Sequence, residues 1–301
     1  MHSAAVTARD IRAGLEQLGL TRTSAVIVHS SLSSFGHVDG GADAVVDALL
    51  ATCGTLLFPG ATSHATRLPA PPQVVRENNA IACAPDWASF DAALSKAAHF
   101  HQDLPVNRNL GLIPETVRRD RQHVRSSHPY FSYIATGAGA DDLIAAQRLD
   151  WPLGPIEALW QRGGHVLQLG VSHATNTTIH LGEQQLGRGR FYRYAKPAPG
   201  VWMELPNIPG ASHRFDTIEP HLRSSTRQVT IGACTASLTP VAEVLTVTRH
   251  LIEASPSALL CDDRTCQCFA EVQQRLRYIA GLDERSPAAT TRYDEAAASR
   301  R

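Results

Sequence analysis

A single α/β domain is the architecture this 301-residue sequence predicts, and three observations carry it. Ala25-Val26-Ile27-Val28 and Thr55-Leu56-Leu57-Phe58 are apolar runs of strand length. They bracket a helical stripe of Ala42, Val45, Val46, Leu49, Leu50 and Cys53, and strand–loop–helix–strand is the local signature of the α/β class. A further run, Val166-Leu167-Gln168-Leu169-Gly170, reads as a buried strand whose polar sequel opens another helix. No internal repeat or clear linker divides the chain. Residues 1–284 therefore read as one domain, and the small, polar stretch 285–301 as a disordered tail.

Taken in order, Thr7 caps a first helix that places Ile11, Leu15 and Leu18 on one face and stops at Gly19. Residues 29–41 form a Ser/Gly-rich loop before the second helix. Residues 61–107 are hard to assign: Pro69, Pro71 and Pro72 break their first part, and the Ala-rich stretch 86–101 suits a helix. Such a long irregular segment in a domain is usually functional or disordered. A helix is expected around 111–120 and a strand around 131–137. Gln228 to Leu238 reads as one strand, after which Thr239 caps a helix with Pro240 at its first position and Val241, Val244, Leu245, Thr248, Leu251 and Ile252 inward.

Bulk composition excludes several classes. The 28 basic and 28 acidic side chains cancel, which argues against a nucleic-acid partner or an anionic-membrane surface. No apolar run reaches the roughly 18 residues that span a bilayer. Met1 to Asp10 lacks a basic start with an apolar core, so no secretory signal is visible. The six cysteines form no even framework, which reads as reduced thiols in a cytoplasmic protein.

The chemistry concentrates at 171–183, Val-Ser-His-Ala-Thr-Asn-Thr-Thr-Ile-His-Leu-Gly-Glu. A helix opening near Asn176 sets Asn176, His180 and Glu183 at i, i+4 and i+7, along one face. An imidazole between an amide and a carboxylate at a strand end is a route to a general base. A capped surface helix with a half-buried histidine fits the spacing equally well. The 29–41 loop runs into a helix N-terminus, an anion site if Gly36, Gly40 and Gly41 let the backbone approach a ligand, or merely a turn needing positive φ.

Three segments in fixed order carry a resemblance. They are Val28-His29-Ser30-Ser31-Leu32-Ser33-Ser34-Phe35-Gly36 with Val38 and Gly40-Gly41-Ala42; Arg125-Ser126-Ser127-His128-Pro129 with Ser132 and Gly137; and Leu169-Gly170-Val171 with Asn176-Thr177 through His180 to Glu183. The chain resembles the aminoglycoside 3-N-acetyltransferases over roughly residues 8–270, with dense matches at 26–60, 108–137 and 163–183. That resemblance implies a central mixed sheet flanked by helices, and acetyl-CoA as co-substrate. Ser30, Ser31, Leu32, Ser33, Ser34, Gly36, Val38, Gly40 and Gly41 would hold the pantetheine and pyrophosphate of CoA, and His180 would be the catalytic histidine, with Glu183 at the acidic position after it. Asn176 is more a helix cap than a substrate contact. Arg125 suits a CoA phosphate, or a structural role bonding buried carbonyls between two loops. Backbone N–H groups of Ser31–Ser34 would stabilise the thioester oxyanion in a direct transfer that needs no protein nucleophile.

The implied partners are CoA and a small-molecule amine, an aminoglycoside acted on at its 3-amino group. The rivals are another amine of secondary metabolism, or CoA binding with an idle His180. The family's match is poor at 61–107 and around Gly154-Pro155-Ile156-Glu157, regions expected to shape the acceptor side. Asp86, Asp91, Asp103, Glu115, Glu157 and Glu183 are candidates to meet a cationic acceptor. Gln184-Gln185-Leu186-Gly187-Arg188-Gly189 fits the Q-x-x-G-x-G loop of the common acetyltransferase superfamily, but a helix precedes it and none follows, so Gly187 reads as a helix stop. A serine hydrolase is disfavoured because Gly-x-Ser-x-Gly is absent. Cys261, Cys266 and Cys268 are spaced C-x4-C-x-C without a paired knuckle or an evident fourth ligand, so no metal is expected. His64, His99, His101 and His213 read as scattered surface histidines.

Overall fold

In the computed structural model, which describes residues 5–74, 82–282 and 290–293, seven strands form a central mixed sheet. β1 (Ala25–Ser30) and β2 (Thr55–Pro59) are parallel, as the apolar runs predict, and β1 pairs in parallel on its other side with β6 (His165–Leu169). β4 (Val124–Arg125) and β5 (Tyr133–Gly137) extend the sheet antiparallel beyond β2. β9 (Arg227–Ile231) and β10 (Cys234–Pro240) extend it beyond β6.

The central strands are buried on both faces, which is why they read as continuous apolar runs. Successive side chains alternate between two cores. Val26, Val28, Leu56, Phe58, Leu167 and Leu169 enter one, with α1 (Ala8–Gln17), α2 (Gly41–Thr52) and α5 (Leu112–Asp120) packed over it. Ile27, Leu57 and Val166 enter the other, under α6 (Ala140–Ala145), α7 (Gly154–Gln161), α8 (Thr177–Gln185) and α10 (Val241–Ala254). The predicted cap of α1 is present as a reciprocal pair: Thr7 Oγ1 accepts from the Asp10 amide and the Thr7 amide donates to Asp10.

A second, antiparallel sheet of β3 (Arg67–Leu68), β7 (Phe191–Ala198), β8 (Val201–Ile208) and β11 (Thr290–Tyr293) is not anticipated by the sequence reading. β7 carries Arg193, Lys196 and Pro197, which conceal its pattern. Burial is possible because Lys196 Nζ donates to the Leu94 and Ala97 carbonyls, at 2.8 and 2.9 Å. The irregular segment thereby acquires a role: α3 (Ser63–Thr66) leads into β3, and α4 (Trp87–Lys96), capped by Asp86, covers the second sheet. Of the expected tail, 283–289 and 294–301 lie outside the described residues. Thr290–Tyr293 is a strand paired with β8, so that part of the disordered reading is corrected.

Two further expectations change. Gln228 to Leu238 is a hairpin, not one strand, because Gly232 at φ 61 turns the chain between β9 and β10. Thr239 stays in β10, bonded to Thr226 at 2.9 Å, and Pro240 is the N-cap of α10 rather than its first residue. The short α9 (Glu219–Leu222) and the longer α11 (Gln267–Ile279) complete the helices used below. Among the described residues no helix is long and apolar enough to cross a membrane.

Two enclosed histidines tie stability to pH. Burial lowers the pKa of His29, in β1, to about 3, helped by the charge of His173, and that of His128 to about 4. Both return to about 6.5 on unfolding. Their folded values are depressed, so the stability they contribute is complete above about pH 6.5 and is lost as pH falls toward those values. Uptake of two protons on unfolding gives a slope approaching about 2.7 kcal/mol per pH unit. Urea midpoints measured from about pH 8 down to about pH 5 should therefore hold steady and then fall, and His128→Asn should flatten the fall.

Candidate active site

β1 and β6 run in parallel side by side, and the chain leaves both at the same end of the sheet. The helix after β1 packs on one face and the helix after β6 on the other. Such a divergence leaves a crevice beyond the strand ends, the usual ligand position in α/β sheets.

A cleft of about 750 Å³ lies there. Of the residues expected to hold CoA, Ser30, Ser31, Leu32, Ser33, Gly36, Val38 and Gly41 line it. Gly36, at φ 81, and Gly41, at φ 59, face open space: a Cβ at either would meet no atom within 4 Å. The Ser31 amide is taken by the Leu169 carbonyl and the Ser34 amide by that of Ser31. Within Ser31–Ser34, the amides of Leu32 and Ser33, at the start of a 3-10 turn over Leu32–Phe35, are the remaining donors. Ser34 lies outside the cleft, its Oγ donating to Ser31 O at 2.7 Å. Gly40 is the left-handed N-cap of α2 and does not line the cleft either. The facing wall, Asn109, Leu110, Gly111, Leu112 and Pro114, comes from the start of α5 and was not anticipated.

Arg125 is placed elsewhere. Its guanidinium donates to the carbonyls of Gln102 (2.8 Å), Leu104 (2.5 Å) and Gly60 (2.9 Å), which occupies the fork that a phosphate would need. The structural role, joining the 102–104 segment to the end of β2, is the one the geometry has.

A smaller cleft of about 290 Å³ adjoins the first and shares Pro59, Asn109, Leu110, Ala174, Thr175 and Thr177 with it. His180 and Asn176 line it. Asn176 is buried and caps α8, accepting from the Thr178 amide at 3.1 Å, while its amide nitrogen lies 3.2 Å from His173 Nδ1. The cap fixes where α8 begins, and so where His180 points one turn later.

His180 Nδ1 lies 2.7 Å from Glu183 Oε2, and its ring meets Phe215 edge-on with centroids 4.7 Å apart. With Nδ1–H donating to the carboxylate, Nε2 is left as the basic nitrogen. Glu183 has no solvent exposure. Its second oxygen accepts from Arg188 Nη2 at 2.7 Å and Nε at 3.1 Å, and Arg188, equally enclosed, also donates to the Pro256 carbonyl. Burial pushes the Glu183 carboxyl up, but the Arg188 charge and the bond from His180 outweigh it, so the group lies below its ordinary value and is ionised. Glu271 on α11 goes the opposite way: burial, reinforced by the Glu183 charge, raises it well above the ordinary value. Arg188 is the main residue the sequence reading missed. In the sequence it stands only within the glycine motif, and Gly187, at φ 74 just after α8, is the helix stop that the sequence reading expects.

The expected acidic residues do not converge. Asp86 caps α4, Glu115 holds Arg118 and the Val106 amide, and Glu157 accepts from the Trp151 indole. None of these, nor Asp91 or Asp103, lines either cleft.

A family model described as aminoglycoside 3-N-acetyltransferase matches residues 27–253, which include the 29–41 loop, the start of α5 and the His180–Glu183–Arg188 chain. The chain belongs to the aminoglycoside 3-N-acetyltransferase family. Aminoglycoside N(3)-acetyltransferase IX of Micromonospora chalcea is 31% identical over 224 residues, 70% of this chain and 75% of that protein. The crystal structure of YokD from Bacillus subtilis superposes with a TM-score of 0.73 at 24% identity, covering 85% of this chain and 96% of that one. A solved AAC-IIIb, described as binary with CoASH, superposes at 0.66 with 25% identity, covering 83% and 97%. As a member of the aminoglycoside 3-N-acetyltransferase family, this chain is an acyltransferase. The family's central mixed sheet is the one described above.

Proposed function

We propose that this family member moves acetyl from acetyl-CoA directly to a primary amine, the 3-amino group of an aminoglycoside, with His180 as general base. The observation that carries the reading is the His180–Glu183–Arg188 chain, whose imidazole lines the smaller cleft, next to the larger one lined by the 30–41 loop. The larger cleft takes CoA along Ser30, Ser31, Leu32, Ser33, Gly36 and Gly41, and the smaller takes the acceptor. The thioester carbonyl sits at the seam between them, near Thr175 and Thr177.

An ammonium has no lone pair, so the acceptor nitrogen must be neutral when it attacks. As the N–C bond forms, His180 Nε2 takes its proton, and the Glu183 carboxylate stabilises the resulting imidazolium. The carbonyl oxygen becomes an oxyanion, which the amides of Leu32 and Ser33 receive as hydrogen-bond donors. The C–S bond then breaks, CoA leaves as thiolate, and the proton held by His180 is released to it or to solvent. Asn176 acts as a positioning residue through the α8 cap. Acetylation removes one positive charge from the acceptor and so one contact to a phosphate-bearing target, the physical basis for a role in antibiotic resistance. The cytoplasm, where acetyl-CoA is made, is the compartment this requires.

The smaller cleft presents hydroxyl and amide groups, from Ser63, Asn107, Tyr130, Ser132 and Ser212, together with Arg193. Acceptors with few ammonium groups should therefore show lower KM than heavily charged ones. Acetyl-CoA and a graded panel of aminoglycosides, read by CoA thiol release and by NMR of the product, test this. One thiol released per 3-N-acetylated product supports the reading. Release only with simple non-aminoglycoside amines would transfer the activity to a different acceptor, and acetyl-CoA binding without release would leave a binding protein.

A further inference from the structure

The loop after β8 and the turn into α11 gather four soft ligands that the transferase chemistry does not use. Donor atoms of His213, Cys261, Cys266 and Cys268 all lie within 4.8 Å of one another. The C-x4-C-x-C spacing lacked a fourth ligand, and the fold supplies it as His213. We propose that His213, Cys261, Cys266 and Cys268 bind one zinc ion in a closed, tetrahedral, structural site.

The donor set selects the metal. Three thiolates and one imidazole in a tetrahedral array suit Zn²⁺, whose bonds of about 2.3 Å to sulfur and 2.0–2.1 Å to nitrogen put ligand atoms roughly 3.5–3.8 Å apart. Small side-chain rotations from the present separations reach that size. Four protein ligands leave no open position, which marks a structural rather than a catalytic ion. Cys266 is the N-cap of the 13-residue α11 and Cys268 lies in its first turn, where the helix dipole favours thiolates. The turn is shaped for this: the Cys266 amide donates to Asp263 O and the Phe269 amide to Cys266 O, both at 3.1 Å. All four cysteines from 234 onward, these three included, are free thiols in the structure.

The ion would clip the 209–214 loop to α11. That loop reaches the active site from both sides of His213. Pro209 and Ser212 line the acceptor cleft, and Phe215 forms the edge contact to His180. The Ala211 amide already donates to Glu271 Oε1 at 2.9 Å, so the metal and this bond would hold the same loop to the same helix. The clip fixes the wall against which the catalytic imidazole packs, and its existence does not depend on which amine is acetylated.

The test uses untagged full-length protein, grown with zinc and purified under reduction, with metal measured by inductively coupled plasma mass spectrometry. About one zinc per chain is expected. Cys261→Ser and His213→Ala should lose most of it, while Cys83→Ser, outside the cluster, keeps it. Replacement of zinc by Co²⁺ should give thiolate-to-metal charge-transfer bands and intense tetrahedral d–d bands, a readout independent of turnover. If Cys261→Ser does not fold, His213→Ala and the cobalt spectrum of the wild type still decide. Wild-type protein that holds no zinc and gives no charge-transfer band with Co²⁺ overturns the proposal. Zinc retained in His213→Ala and Cys261→Ser overturns it too, as does a disulfide among the three cysteines in reduced protein.

Discussion

Replacing Arg188 with Met is expected to destabilise the fold by about 3–5 kcal/mol, the range for removing one partner from a buried ion pair. Arg188 and Glu183 are both without solvent exposure, so the abandoned carboxylate has no water to turn to. It would keep its charge at high cost or take a proton, and either change reaches the active site. A protonated Glu183 no longer stabilises an imidazolium. An ionised but unpaired one draws a proton onto His180 and occupies the base before the amine arrives. The double variant Glu183→Gln/Arg188→Met removes both charges, and should recover much of the lost stability while remaining a poor catalyst. Urea unfolding of the two variants and the wild type checks this through the midpoint and the slope. An Arg188→Met midpoint close to that of the wild type would show that the pair is not the anchor described here. The sign with pH is also fixed. Because the Glu183 value is depressed on folding, its stabilisation is present above the unfolded carboxyl value and is lost as pH falls through the folded one.

Those parts of the site set by short-range periodicity were legible in the sequence. Asn176, His180 and Glu183 share a face because a helix returns every 3.6 residues, and α8 starts where the Asn176 cap says it should. The strands β1, β2 and β6 announced themselves because burial on both faces makes them predominantly apolar, with His29 and Gln168 the buried polar exceptions in β1 and β6. Arg188 was hidden because its partner lies across a chain reversal, where the Gly187 turn brings the guanidinium back onto a carboxylate five residues earlier. A fully enclosed glutamate needs a partner, yet only the structure shows that Glu183 is enclosed. β7 was missed because it buries two cations, Arg193 and Lys196, and the carbonyls that Lys196 bonds come from distant chain. Arg125 was undecidable from residue type, since a guanidinium suits a phosphate and a set of carbonyls equally, and only its distances separate the two. His213 joins three cysteines through tertiary contact alone.

His180→Ala is expected to lower kcat by about 10²–10⁴-fold, the usual worth of a positioned general base. The loss should fall on turnover and leave CoA binding alone, because the larger cleft is built from the 29–41 loop and the start of α5, with the 171–177 loop, and has no contact from the imidazole. His180 also packs against Phe215 and holds Glu183, so His180→Gln, which keeps volume and a hydrogen bond to the carboxylate, should be folded as the wild type is and equally slow. The decisive measurement is CoA thiol release at saturating acetyl-CoA and aminoglycoside, run on the wild type and both variants, with acetyl-CoA affinity measured on the same samples. The account predicts unchanged affinity, and release reduced by at least about a hundredfold in both variants. Release at the wild-type rate from either variant would contradict it, and would remove His180 from the chemistry.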